Sequence, residues 1–215
     1  NRLCPAPIAA VPTPALQELS TLEQCTQHAD ISERVSGYRP ILEAHLSARG
    51  PRAVLADLDG LQARTAAFAG HCHDMAHVLG RFWVAKGEAV GKGFAEGSNV
   101  CHSGFFHGMV ERMLGDDDRD SGEPRHASPD ELRAKIPGVC TPASLGSESQ
   151  NIRFQCLHGL GHAVAFTLGY RLPLALETCD VRSGSWEQAS CYGGAVMENI
   201  NGIDQERRMV RAGDA

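Results

Sequence analysis

Apolar residues recur along the chain at intervals of three and four, the repeat of an amphipathic helix. Leu16, Leu19, Leu22 and Cys25 predict a first helix from about residue 14 to about residue 29. Two shorter helices are expected over 41–46 and 54–61, parted by Gly50-Pro51. A longer one should start near residue 66 and run past Trp83, with further helices over 101–114, 154–168 and 187–200. Shorter ones are expected near 130–134 and 173–178. Residues 87–99 are glycine-studded and read as a turn of helix with a loop, and 115–129 and 135–150 read as loops. Residues 1–14 are proline-rich and read as an extended arm before a single domain over 15–215. No alternating pattern is long enough to argue for a strand. The expected fold class is all-α, with helices paired around a central site as a toroid or an irregular bundle.

Four segments align when superposed: HCHDMAHVLGR from His71, CHSGFFHGMVE from Cys101, CLHGLGHAVAF from Cys156 and CYGGAVMENIN from Cys191. They read as one unit used four times, at uneven spacing. Positions four apart share a helix face. The third and seventh positions hold His73 and His77, Ser103 and His107, His158 and His162, Gly193 and Met197. One turn further on lie Arg81, Glu111, Phe166 and Asn201. If the four faces converge, the centre holds five histidines with Met197 and Glu111 close by. Gly104, Gly159 and Gly194 share the fourth position. Glycine costs a helix interior about 1 kcal/mol relative to alanine. Its recurrence there signals either close backbone approach or the starts of helices.

Two histidines four apart can bind one metal. His73, His77, His107, His158 and His162 are the expected ligands, with Met197 as a thioether candidate. Such a set suits copper or zinc, with iron possible, and the thioether tilts toward copper. Glu111 is a candidate ligand or general base, and Arg81 a candidate for holding a small anionic substrate. Three functions follow: a metal-dependent enzyme, a non-catalytic protein for metal storage, delivery or sensing, and a metal-free enzyme doing acid–base work with the same histidines. HExxH and GxSxG are absent, so the usual zinc-protease and nucleophile-elbow readings have no support. The architecture resembles helical toroids with central histidines, a likeness that fixes no function.

Composition narrows the setting. The net charge is −6 and lysine occurs only at Lys86, Lys92 and Lys135. No basic cluster is available for a phosphate backbone, so nucleic acid is not an expected partner. No apolar run is long enough for a membrane helix. Asp116, Asp117 and Asp118 lack the wider oxygen-ligand spacing of a calcium loop and read as solvated. Eight cysteines with no CxxC pair favour disulfides and a secreted or periplasmic protein. Cys140–Cys156 and Cys179–Cys191 each close a short loop and are the first pairs expected. Cys72–Cys101 with Cys4–Cys25 is the simplest arrangement of the rest.

Overall fold

The computed structural model describes residues 21–27, 31–115 and 127–201, and among these no strand occurs. Residues 21–25 are helical and 26–27 form a turn, and the rest of the first expected helix and the arm lie outside the described residues. Helix α1 (Ile31–Gln62) carries a buried stripe of Val35, Tyr38, Leu42 and Leu46. It breaks at Gly50, whose φ of 76° leaves the helical region just before Pro51. A second stripe of Val54, Leu55, Leu58 and Leu61 follows the break. The sequence places this break correctly but starts the helix ten residues late, because Pro40 lies within it. Proline is costly inside a helix. The buried stripe on both sides of it decides the outcome.

Helix α2 (Ala66–Ala85) begins at Thr65, whose hydroxyl accepts from the Phe68 N–H. It is followed by α3 (Val90–Glu96), α4 (Gly104–Met113) and α5 (Pro129–Lys135). Then come α6 (Pro142–Leu145), α7 (Gln150–Thr167), α8 (Leu172–Cys179) and α9 (Ser185–Asn201). Short α6 and a turn of 3-10 helix over Ile136–Gly138 stand where a plain loop was expected. Pro142 behind the Thr141 cap starts α6, and Gly146 at φ 60° ends it within four residues.

The four segments singled out in the sequence become α2, α4, α7 and α9. Helix α2 packs on α4, α4 on α7, and α7 on α9, while α1 covers α2. Among the described residues α2 and α9 share no substantial interface. Three disulfides staple the series, Cys72–Cys101, Cys140–Cys156 and Cys179–Cys191, with Cα separations of 5.1, 5.5 and 5.9 Å. The expected Cys4–Cys25 pair reaches outside the described residues.

Glycines set the spacing of the two end pairs, α2 with α4 and α7 with α9. A Cβ on Gly108 would overlap the His77 carbonyl, and one on Gly194 would overlap the His158 carbonyl. Both expectations for the fourth-position glycines hold in part. Gly104 is the first residue of α4, whereas Gly159 and Gly194 lie deep inside α7 and α9. All three would place a Cβ against another helix. Gly194→Ala is therefore expected to destabilise the fold by about 3 kcal/mol, the upper end for overpacking, because the obstruction is main chain. Gly70→Ala, on the exposed side of α2 with nothing near its Cβ position, should stabilise by about 0.5–1 kcal/mol. Urea unfolding of both variants checks the contrast, and equal effects would mean that the helix contact does not depend on glycine.

Candidate metal centre

Close helix contacts bring the seventh-position histidines inward. His77, His107 and His162 are 5%, 0% and 1% exposed, and His73 is half-buried beside them. One ligand nitrogen from each of His73, His77, His107 and His162 lies within 4.8 Å of all the others. Their ring centroids are 4.4–5.9 Å apart. Two imidazoles on a common tetrahedral ion, at about 2 Å per metal–nitrogen bond, have centroids about 5 Å apart. The ring spacings bracket that value, with His107 stacked on His162 at the short end, 4.4 Å apart and 22° between planes.

Hydrogen bonds decide which nitrogen of each ring faces the centre. His73 Nδ1 lies 2.8 Å from the Cys101 carbonyl oxygen, which can only accept. His77 Nδ1 lies 2.8 Å from Glu111 Oε1, and His162 Nδ1 lies 2.8 Å from Glu198 Oε2. Each Nδ1 therefore donates outward, which leaves the Nε2 lone pair of each neutral ring for the centre. Donation of the outer N–H to a carbonyl or carboxylate is the arrangement that orients metal-ligating histidine. His73 Nε2 and His77 Nε2 stand 3.0 Å apart. Two lone pairs at that distance repel unless a cation lies between them, either a metal or a proton.

Burial opposes the proton. It pushes His73 down to about 3, with the neighbouring His77 as the next cause. His107 is held well below the ordinary value, first by burial and then by His162. His158 is pushed down to about 4 by burial and then by His162. In the unfolded chain these rings titrate near 6.5. Below that pH the unfolded state takes up protons that the folded state refuses, so stability falls as the solution is acidified toward pH 4. The melting temperature of metal-free protein should drop across this window, and His107→Gln should drop less. Parallel curves for the two proteins would show that His107 is not buried as a neutral ring.

The polar accounting leaves a residue. Among the described residues, neither ring nitrogen of His107 nor His162 Nε2 has a hydrogen-bond partner, although all three atoms are buried. Buried polar groups are normally satisfied. Three unpartnered buried nitrogens on two neighbouring rings are compatible with a bound ion.

The other expected site residues fall around this core. Glu111, fully buried, accepts from His77 on one oxygen and from Arg81 Nη1 at 2.8 Å on the other. Arg81 is itself only 7% exposed. His158 is half-buried, outside the four, with its ring 5.2 Å from His107 and 5.1 Å from His162. Met197 is half-buried on α9, next to Glu198. Glu198 was not singled out in the sequence. Its signal there is an acidic residue set in a largely apolar helical run, as Glu111 is. Asp116, Asp117 and Asp118 lie outside the described residues.

The start of α4 departs from expectation. A continuous helix from Cys101 was expected, but Cys101, His102 and Ser103 have φ of 54°, 52° and 65° and form a left-handed turn within the 3-10 segment Val100–Ser103. Non-glycine residues reach this region at a cost of about 1–2 kcal/mol each. The turn sets the Cys101 carbonyl against His73 Nδ1, and the Cys72–Cys101 disulfide holds it there. Strain maintained by its surroundings in this way is typical of functional sites.

No family model, curated protein or solved structure matches this chain.

Proposed function

We propose that this protein binds a transition-metal ion through Nε2 of His73, His77 and His162 and one nitrogen of His107. The single observation that carries the reading is the facing pair of Nε2 atoms on His73 and His77, 3.0 Å apart while both Nδ1 atoms donate elsewhere. Four neutral imidazoles suit zinc or copper, and iron less closely, and do not suit calcium or magnesium, which take oxygen ligands. The carboxylates of Glu111 and Glu198, one step behind the ligands, offset the charge of a dication, and Arg81 fixes Glu111. Glu111 and Arg81 thus act as positioning residues. Once bound, the ion supplies Lewis acidity or, if it is copper or iron, one-electron chemistry.

Four protein ligands fill a tetrahedral ion, and closed sites of this kind serve holding more often than catalysis. The primary reading is therefore a protein that holds metal for storage, delivery or sensing. A metal-dependent enzyme is the second reading, favoured by the half-buried faces of His73 and His158. The disulfides support an oxidising compartment, secreted or periplasmic. No helix among the described residues is long and apolar enough to cross a membrane.

Elemental analysis of natively purified, untagged protein, repeated after reconstitution, tests the proposal. About one equivalent of a transition metal or more is expected. Less than about a tenth of an equivalent under both conditions sinks it, given the affinity of a preformed site. The metal-free alternative, with His77 protonated and donating to His73, would then stand.

A further inference from the structure

We propose that His107 bridges two metal ions, the second held by its remaining nitrogen together with His158. The proposal rests on the four-histidine reading and extends it from one position to two. His107 is the ring at the middle of the cluster. Its centroid lies 5.4 Å from His73, 5.5 Å from His77, 4.4 Å from His162 and 5.2 Å from His158. The two nitrogens of an imidazole point away from each other, so one ion can engage only one of them. On His107 both are buried, and neither has a partner among the described residues. In the other three inner rings Nδ1 is already taken by Cys101, Glu111 or Glu198. His107 alone among the four keeps a nitrogen to spare.

His158 is placed to share that nitrogen's ion. Its 5.2 Å centroid distance from His107 is the spacing of two imidazoles on one ion, about 5 Å. It lies outside the inner four, is half-buried, and stacks on Phe154, which is 38% exposed. A backbone hydrogen bond to Ser190 fixes the ring. Among the described residues the second position has two protein ligands, with half-buried His158 on its outer side, which leaves coordination sites for water or an exogenous anion. The bonding balances without a redox step. The remaining N–H bond of His107 breaks, its proton passes to solvent, and the nitrogen binds the second ion, so that the ring becomes an imidazolate. Such a centre pairs a closed inner ion with an open outer one.

Titration of the metal-free full chain with Cu(II), followed by metal analysis and electron paramagnetic resonance, tests this. Wild type should bind two equivalents, the second at least tenfold more weakly. The signal of the one-equivalent form should fade as the second ion couples to the first through the ring. His158→Ala should bind one equivalent with the first affinity changed less than threefold, and its signal should persist. His158→Gln, which keeps a polar side chain of similar size, should behave alike and guards against misfolding of the alanine variant. One equivalent in wild type and variants alike overturns the second position and leaves the four-histidine site standing. Two equivalents with fully independent spins overturn the bridge. No bound copper overturns the four-histidine reading and this one with it.

Discussion

Protein carrying His107→Ala together with His162→Ala is expected to lose the inner metal and the thermal stabilisation that comes with it. In wild type, a ligand at about a thousand times its Kd stabilises the folded state by about 4 kcal/mol. For a chain of this size that corresponds to a rise in Tm on the order of 10 °C. The double variant keeps His73 and His77, a pair on one helix, and loses both rings contributed by the opposing helices. Its Tm should be the same with and without metal. The substitutions also remove the three unpartnered nitrogens, so part of the cost of emptying the space is offset in the metal-free state. Differential scanning calorimetry at matched free zinc measures both quantities. A metal-dependent rise as large in the variant as in wild type would place the centre elsewhere.

Removing the carboxylate behind His77 should cost nearly as much by another route. Glu111 is fully buried and joins His77 to Arg81. Glu111→Ala removes the carboxylate to which the buried Arg81 Nη1 donates, and breaking a buried pair from one side typically costs about 3–5 kcal/mol. It also frees His77 to turn, and loss of such an outer hydrogen bond weakens metal affinity by roughly 10–100-fold. Glu111→Gln should fall between the two proteins. Its amide oxygen can still accept from Arg81, but its NH2 cannot accept from His77 Nδ1. Denaturant unfolding and competition titration separate the stability loss from the affinity loss. A Glu111→Ala protein within about 1 kcal/mol of wild type would show that Arg81 finds another acceptor at no cost.

Much of this site was legible in the sequence because helical geometry is local. His73 and His77, and His158 and His162, face one way simply because four residues make about one turn. Cys140–Cys156 and Cys179–Cys191 were legible for a related reason, since short loops bring their ends together, whereas Cys72–Cys101, 29 residues apart, followed only as the simplest arrangement of the rest. The features that escaped depend on contacts between helices. Nothing in Cys101-His102-Ser103 favours a left-handed turn, which is held by the disulfide and by the hydrogen bond to His73. Glu198 follows Met197 directly, and only the packing of α9 on α7 reveals which of the two meets His162. Helix α1 continues through Pro40 because its buried stripe outweighs one missing hydrogen bond.

The glycine contacts between paired helices bear on how such a centre can change over time. Where Gly108 meets the His77 carbonyl and Gly194 meets the His158 carbonyl, backbone rests on backbone. The distance across the cage is thus a property of the main chain and not of any ligand's rotamer. Ligands can be exchanged one side chain at a time while the frame keeps its width. The glycines have no such latitude, because any side chain there moves a whole helix. In a lineage descended from this chain, the chemistry at the centre is free to drift among donor types long before the architecture around it can.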